Sequence, residues 1–294
     1  MILAVMLYPG QARADGGEKA VLATMGNVPI TRAEFDRYLR SGWANASVDE
    51  IRTNNSARDA ALEGFFDLQV MAAKARQEGI DKESTFQKAC QLMDMKLLVK
   101  AITDRDRAKL EAMAKDSSGT NKLRYMDAIK AEVGLKTTDL ATNDSPLVFT
   151  WLIDTNAVLA TIGGTQILES DFRWFLKDAF RPEQRPYVFQ QPGARKKLLT
   201  SYLDMRALAA KAQKDGLDRG EAFLDTRSVM EDKLLAEFLQ ERDHKMPWEL
   251  SGSDLEKSEA LRKYLDQMRS ELRFKVASEA PASNSAQKVS GGDR

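Results

Sequence analysis

The sequence feature that most constrains the fold is an internal repeat. Ala20–Gly26 reads AVLATMG, and Ala157–Gly163 reads AVLATIG. At this offset of 137 positions, about 26 of the 87 aligned residues from Ala20 to Asp106 are identical. The repeat resumes at an offset of 139, where residues 125–127 match residues 264–266. The chain is therefore a tandem duplication, and we call the two copies repeat 1 and repeat 2.

Each repeat opens with two short β-prone segments and continues with helices. In repeat 1, residues 21–24 and 28–30 flank Gly26-Asn27, a typical hairpin turn. Thr31 and Glu34 have the spacing of a capping box, which predicts the start of the first helix. Repeat 2 has Leu168 where Thr31 stands, so we expect its cap to come from elsewhere or to be weaker.

Longer helices follow in the same order in both repeats. In repeat 1 the pattern predicts a helix over residues 57–78, closed by Gly79. We expect Asp81 to N-cap the next helix, over about residues 82–110.

Each repeat then closes with one more helix and a short strand. These are predicted at residues 122–132 and 133–137 in repeat 1, and at residues 261–270 and 272–276 in repeat 2. The expected fold class is mainly α, with one small sheet per repeat. The predicted segments are a helical module over residues 18–140, a second module over residues 150–277 and a disordered tail over residues 278–294.

The N-terminus indicates export. Residues 1–14 read MILAVMLYPGQARA, an apolar run that ends in a small-x-small cleavage pattern. No Lys or Arg precedes the run, so its basic region is missing or the true start lies upstream. No later stretch approaches the roughly 20 apolar residues of a membrane span. We therefore expect residues 1–14 to be a signal peptide and the mature protein to be soluble and periplasmic.

Composition excludes several classes of function. The 44 basic and 44 acidic residues give a formal net charge of zero, which argues against a nucleic-acid partner. A single His and a single Cys exclude two-His metal sites, zinc ribbons and an intramolecular disulfide framework. No nucleophile elbow or phosphate-binding Gly loop occurs. We thus predict no catalytic residue, no metal and no cofactor. Because Arg227 matches Cys90 in the other repeat, we expect a partly exposed thiol.

The repeat separates core residues from candidate binding residues. Positions that are apolar in both repeats, such as Phe35 and Phe172 or Leu39 and Leu176, are predicted to form the core. Bulky apolar residues present in only one repeat owe less to the shared fold and are candidates for binding a client polypeptide: Trp151, Trp174, Tyr187, Phe189 and Trp248. Trp174 is the best example, because Arg37 stands at its position in repeat 1. It would contact either a client or the other module.

Two stretches resemble a known family. The run from Val21 to Phe35, VLATMGNVPITRAEF, resembles the opening of the SurA/PpiD/PrsA group, whose chaperone modules flank parvulin-type prolyl isomerase domains. The run from Ala72 to Asp81, AAKARQEGID, resembles the end of that group's signature helix. The gaps that could hold a parvulin domain, residues 111–121 and 244–257, are too short, because an autonomous domain needs roughly 40 residues.

The resemblance implies an exported, non-catalytic chaperone that binds extended segments of unfolded envelope proteins. Two alternatives remain open at this point. One is a scaffold subunit of an envelope secretion or polysaccharide-export assembly. The other is a prolyl isomerase, which the family suggests and the missing insert contradicts. The sequence does not specify the client, the oligomeric state or the angle between the modules.

Overall fold

The computed structural model of the protein is mainly α-helical and contains two small antiparallel sheets, which confirms the predicted fold class. The structure describes residues 19–42, 48, 50–51, 53–115, 119–142, 154–181, 183–191, 193–244 and 253–277. The predicted signal peptide, the predicted C-terminal tail, Trp151 and Trp248 lie outside these residues.

The elements follow the order that the repeat predicts. The described helices are α1 (Arg32–Gly42), α2 (Asn55–Gln77), α3 (Ser84–Arg105), α4 (Arg107–Ala114), α5 (Thr120–Glu132), α6 (Asp139–Thr142), α7 (Glu169–Ala179), α8 (Arg185–Phe189), α9 (Ala194–Lys214), α10 (Glu221–Arg242) and α11 (Asp254–Glu271). The described strands are β1 (Val21–Met25), β2 (Val28–Thr31), β3 (Lys136–Thr137), β4 (Val158–Ile162), β5 (Thr165–Leu168) and β6 (Phe274–Val276).

The predicted capping box forms at the start of α1. The Thr31 amide donates to Glu34 Oε2 at 2.6 Å, and the Glu34 amide donates to Thr31 Oγ1 at 3.4 Å. In repeat 2 only the carboxylate half of this motif exists, since the Leu168 amide donates to Asp171 Oδ2 at 3.1 Å. The weaker cap that Leu168 predicts is therefore confirmed, because its side chain has no acceptor.

Two predictions about the second long helix of repeat 1 are wrong. Asp81 lies in a 3-10 turn over Ile80–Lys82, and the N-cap of α3 is Glu83, whose side chain makes no capping hydrogen bond. The helix also ends at Arg105 instead of continuing to residue 110. Asp106 interrupts it, and its carboxylate accepts a hydrogen bond of 2.8 Å from the Tyr125 hydroxyl. That tertiary contact lies outside the range of local helix signals.

The chain divides into two compact units that do not follow the repeat boundaries. Unit 1 comprises the residues up to Asp81 together with those from Asp232 onward, and unit 2 comprises Lys82–Glu231. In unit 1, the hairpin of repeat 1 pairs with β6 of repeat 2, in the strand order β2-β1-β6. In unit 2, the hairpin of repeat 2 pairs with β3 of repeat 1, in the order β3-β4-β5. Each sheet thus takes its third strand from the other repeat.

Two kinds of polar contact recur at matching positions in both units. In unit 1, Lys74 Nζ lies 2.6 Å from Glu271 Oε2, and in unit 2 Lys211 Nζ lies 3.2 Å from Glu132 Oε1. The Tyr264 hydroxyl donates to Asp243 at 2.8 Å, just as the Tyr125 hydroxyl donates to Asp106 at 2.8 Å. The duplicated sequence therefore builds the same contacts twice: the Lys–Glu pair joins the two repeats in each unit, and the Tyr–Asp hydrogen bond lies within one repeat.

Each unit has its own hydrophobic core, built on corresponding residues. Phe35 and Phe172 are 2% and 0% exposed, and Leu39 and Leu176 are 3% and 4% exposed, which confirms their predicted core role. Around them lie matching aromatic clusters of Phe35, Tyr38 and Phe65 in unit 1 and of Phe172, Phe175 and Tyr202 in unit 2. Among the described helices, none has the length and apolar character needed to cross a lipid bilayer.

Candidate functional site

Unit 2 contains an open pocket of about 550 Å³. Its walls are α3 from repeat 1 and the β4–β5 hairpin, α7 and α9 from repeat 2. The lining residues are Lys88, Gln91, Leu92, Asp94, Met95, Leu98, Ile162, Thr165, Gln166, Asp171, Trp174, Tyr202, Arg206, Ala209, Ala210 and Gln213. A pocket of this size and mixed lining is in the range of sites that bind small molecules or single side chains of a polypeptide.

The apolar part of the lining belongs to the core of unit 2. Met95 is 4% exposed, and Tyr202 is 2% exposed. Trp174 is half-buried, packs against this core and has Lys177 Nζ 5.2 Å from its ring centroid. Burial raises the pKa of Tyr202 to about 12, so its hydroxyl stays protonated at neutral pH.

The charged residues that line the pocket differ in whether they have hydrogen-bond partners. Asp94 Oδ1 accepts a hydrogen bond of 2.7 Å from Arg227 Nε, and Asp171 accepts from the Leu168 amide at 3.1 Å. In contrast, no described residue accepts a hydrogen bond from Arg206, which is half-buried in the wall of the pocket. The pocket therefore combines buried apolar residues with two cations, Lys88 and Arg206, that have no hydrogen-bond acceptor among the described residues.

A buried ion pair fixes the helix that carries Trp174. Glu169 at the start of α7 and Arg195 at the start of α9 are both 0% exposed, and their side chains meet at 2.7 Å. Arg195 also donates to the Leu140 carbonyl at 3.0 Å, and Arg173 Nε lies 3.3 Å from Glu169 Oε1. Since a buried pair with several partners restricts helix orientation, this contact positions Trp174 at the mouth of the pocket.

Unit 1 has different chemistry at the corresponding position. Asp232 stands where repeat 1 has Met95, and it is 8% exposed. Its carboxylate accepts a hydrogen bond of 2.9 Å from Gln69 Nε2 and one of 2.5 Å from Arg76. Arg37 replaces Trp174 in this unit. Where Met95 lines the pocket of unit 2, unit 1 therefore has a hydrogen-bonded carboxylate.

The five predicted client-binding residues have different outcomes. Trp174 lines the pocket. Tyr187 lies on the short helix α8, is 78% exposed and is not part of the pocket lining. Phe189 ends α8, and its side chain lies outside the described residues, as do Trp151 and Trp248 entirely. Binding by any of the five remains a prediction.

Sequence reasoning missed Met95, Tyr202 and Arg206. The comparison between repeats contained a signal for Met95, because Asp232 at its matching position makes it apolar in one repeat only. Tyr202 matches Phe65 and was hidden among ordinary core residues. Arg206 matches Gln69, and neither residue is distinctive until its surroundings are known.

The described part of the chain shows no group of His, Cys, Asp or Glu side chains that could hold a metal ion. The expectation of a partly exposed thiol is wrong, because Cys90 is 8% exposed. Burial raises the pKa of Cys90 to about 11, which leaves the thiol protonated and unreactive at neutral pH. Arg227 is tolerated at the matching position because its guanidinium reaches out to Asp94.

The pocket of unit 2 therefore presents the side chains of Trp174 and Met95 beside polar lining residues. No protein-family model, no curated protein and no solved structure matches this chain.

Proposed function

We propose that this protein is an exported, non-catalytic chaperone of the SurA type, which binds extended segments of unfolded envelope proteins in the periplasm. The observation that carries the proposal is the pocket of unit 2, where Trp174 and Met95 form an apolar wall beside exposed polar residues. Unfolded envelope chains present isolated aromatic and aliphatic side chains, and such a pocket accepts one of them.

The chemistry of the pocket supports a permissive binding site. Met95 has a flexible, polarisable side chain that adapts to partners of different shape, and Trp174 offers a large flat surface. The polar lining residues keep the pocket hydrated when no client is bound, so the empty site does not favour aggregation of the protein. These properties favour several clients of modest affinity over one tightly bound ligand.

The proposal is tested by the suppression of aggregation. A urea-unfolded outer-membrane β-barrel protein and a thermally unfolded soluble enzyme are diluted into buffer, and light scattering is followed with increasing amounts of the full chain. We expect the wild type to suppress scattering of both clients at near-equimolar ratio. Scattering that is unchanged for both clients would refute the proposal.

Repeat 1 supplies the informative variants. Trp174→Arg and Met95→Asp introduce the residues that unit 1 tolerates at these positions, Arg37 and Asp232. The new carboxylate at residue 95 would face Arg206 as Asp232 faces Gln69, which closes the pocket with a polar contact. Each variant should reduce suppression several-fold.

Leu224→Ser is the matched control, because this apolar residue of unit 2 is exposed but lies outside the pocket lining. It should leave suppression unchanged, and an equal loss in this variant would show that the pocket is not the binding site. Acceleration of proline cis/trans exchange in a short peptide, beyond its uncatalysed time of minutes, would contradict the non-catalytic part of the proposal. One tight partner in place of several clients would favour a scaffold subunit.

A further inference from the structure

The pocket of unit 2 lies beside a strand edge that pairs with no other strand in the described part of the chain. β5 is an outer strand of its sheet, and Thr165 and Gln166 at its start line the pocket. Gln166 is exposed. A strand edge presents backbone N–H and C=O groups that can pair with another extended chain. The pocket and the edge are therefore close enough to act on one bound segment.

The hairpin register determines which backbone groups face outward. Gly163 and Gly164 form a two-residue turn, so the flanking residues Ile162 and Thr165 form a hydrogen-bonded pair. The next pair, Thr161 and Gln166, is then of the non-hydrogen-bonded kind. The backbone N–H and C=O of Gln166 consequently point away from β4, toward the free edge.

Repeat 1 supports this assignment and differs from repeat 2 at this residue. Its hairpin pairs Thr24 with Pro29, which matches Gln166. Proline has no N–H, so it fits an edge strand only where no donor is needed for the ladder. Pro29 thus removes the outward donor from the edge of unit 1, whereas Gln166 retains it in unit 2.

The charges of the pocket indicate what the bound segment carries. Asp94 accepts a hydrogen bond from Arg227 and Asp171 accepts one from the Leu168 amide, whereas no described acceptor lies at Arg206. A carboxylate on the bound segment would satisfy this guanidinium. Alternate side chains of a strand lie on the same face, so an apolar side chain and an acidic one two positions away reach the pocket together.

We infer that the client segment adds as a strand to β5 at Gln166, placing an aromatic or aliphatic side chain against Trp174 and an Asp or Glu side chain near Arg206. The inference rests on the proposed function and defines its substrate class, an extended polypeptide with an apolar residue and an acidic residue two positions apart. The two backbone hydrogen bonds of Gln166 would set the direction and register of the segment.

The first test measures the binding of a short synthetic peptide by fluorescence anisotropy. The probe alternates Phe with Thr and carries one Asp two positions from the central Phe. Gln166→Pro should weaken binding about tenfold, as expected for the loss of one backbone hydrogen bond. Pro29 indicates that the hairpin accommodates this residue. Gln166→Ala keeps the N–H and should bind within about twofold of the wild type.

A second test changes the peptide probe instead of the protein, so its result does not depend on whether a protein variant folds. N-methylation of the probe at successive residues should weaken binding strongly at one position, the residue opposite Gln166, and little at its neighbours. Replacing the probe's Asp with Asn should weaken binding several-fold in the wild type but not in Arg206→Gln, which carries the residue of repeat 1, Gln69.

The outcomes separate this inference from the proposed function. If Trp174→Arg abolishes binding while Gln166→Pro and every N-methylated probe bind normally, the pocket binds clients but strand addition is wrong. If Asn and Asp probes bind equally to the wild type, the acidic preference is wrong. If the wild type binds no probe and suppresses no aggregation, the proposed function itself fails.

Discussion

Each unit has its own core built on corresponding residues, but the two units differ at the position of Met95, which lines the pocket in unit 2. In unit 2, Met95 leaves an apolar pocket beside Trp174, whereas in unit 1 Asp232 occupies the matching place and accepts hydrogen bonds from Gln69 and Arg76. The aromatic clusters have similar ring spacings, with centroids 5.4 Å apart for Tyr38 and Phe65 and 5.0 Å apart for Phe175 and Tyr202. Duplication thus kept the residues that fold each unit and changed those that line the space between its helices.

This comparison indicates that the pocket depends on the chemistry of the side chain at one matched position, Met95 in unit 2 and Asp232 in unit 1. In unit 1 the carboxylate of Asp232 is nearly buried and accepts hydrogen bonds from two donors. These hydrogen bonds offset the cost of burying the charge. In unit 2 Met95 makes no such hydrogen bonds and lines the open pocket.

The largest effect is expected at the buried pair that unit 2 has and unit 1 lacks. Glu169→Ala leaves the guanidinium of Arg195 buried without its carboxylate, which should cost about 3–5 kcal/mol of unfolding free energy. Denaturant unfolding measures the loss. Alkylation of Cys90, which is buried in unit 2, should become faster in this variant because it reports opening of that unit.

Arg32→Ala is the matched control, since Arg32 stands where repeat 2 has Glu169. Its pair with Asp36, at 3.5 Å, joins two partly exposed side chains and should contribute less than about 1 kcal/mol. Equal losses in the two variants would show that the units do not differ in this respect.

A second prediction concerns pH and unit 1. Burial raises the pKa of Asp67 to about 6, although Arg269 opposes the shift. Between pH of about 4 and about 6 the folded state therefore binds more protons than the unfolded state, so unfolding free energy should fall as pH rises through this range. The fall attributable to Asp67 is at most about 3 kcal/mol.

Asp67→Asn removes this titration, so its unfolding free energy should change less between pH 4 and pH 6 than that of the wild type. Parallel denaturation series at several pH values measure the difference. A difference of opposite sign, with the wild type gaining stability relative to the variant as pH rises, would contradict the raised pKa.

A third prediction concerns the hydrogen-bonded carboxylate of Asp232 in unit 1. Asp232→Ala leaves Gln69 and Arg76 without their shared acceptor, which should cost about 2 kcal/mol. The matched variant in unit 2 is Met95→Leu, a volume-conserving change that should cost less than about 1.5 kcal/mol. Hydrogen exchange assigns each loss to its unit, and the reverse ranking would refute the contrast.

The smallest effects are expected where the repeats are identical but their partners differ. Lys96 Nζ lies 2.6 Å from Asp178, whereas its counterpart Lys233 lies 5.9 Å from the ring centroid of Tyr38. Both contacts are partly exposed, so Lys96→Ala and Lys233→Ala should each cost less than about 1 kcal/mol. High salt should reduce the loss at Lys96, and a loss of several kcal/mol at either position would be inconsistent with these contacts.

Local elements were largely predictable from the sequence. The helix predicted over residues 57–78 is Asn55–Gln77, and the one predicted over residues 122–132 is Thr120–Glu132. Thr31 and Glu34 form the expected capping box. These features depend on residues within four positions of one another, where spacing and side-chain chemistry suffice.

The pocket was predicted only in part. Trp174 was identified because Arg37 stands opposite it in the alignment of the repeats, and Met95 carried the same signal through Asp232. Their proximity could not be derived, because one lies in α3 of repeat 1 and the other in α7 of repeat 2. The prediction of a partly exposed Cys90 was wrong for a related reason. Arg227 at the matching position can extend its side chain toward solvent, so its presence there does not show that Cys90 is exposed.

By itself the sequence determined that the chain is duplicated, mainly helical and provided with one hairpin per repeat, because periodicity and turn residues act over short distances. Only the tertiary structure decided that each hairpin receives its closing strand from the other repeat. The strands and ion-pairing residues of the two repeats are so alike that local pattern cannot choose between partners. The choice depends on the sum of long-range packing, and the same packing brings Met95 and Trp174 to one pocket.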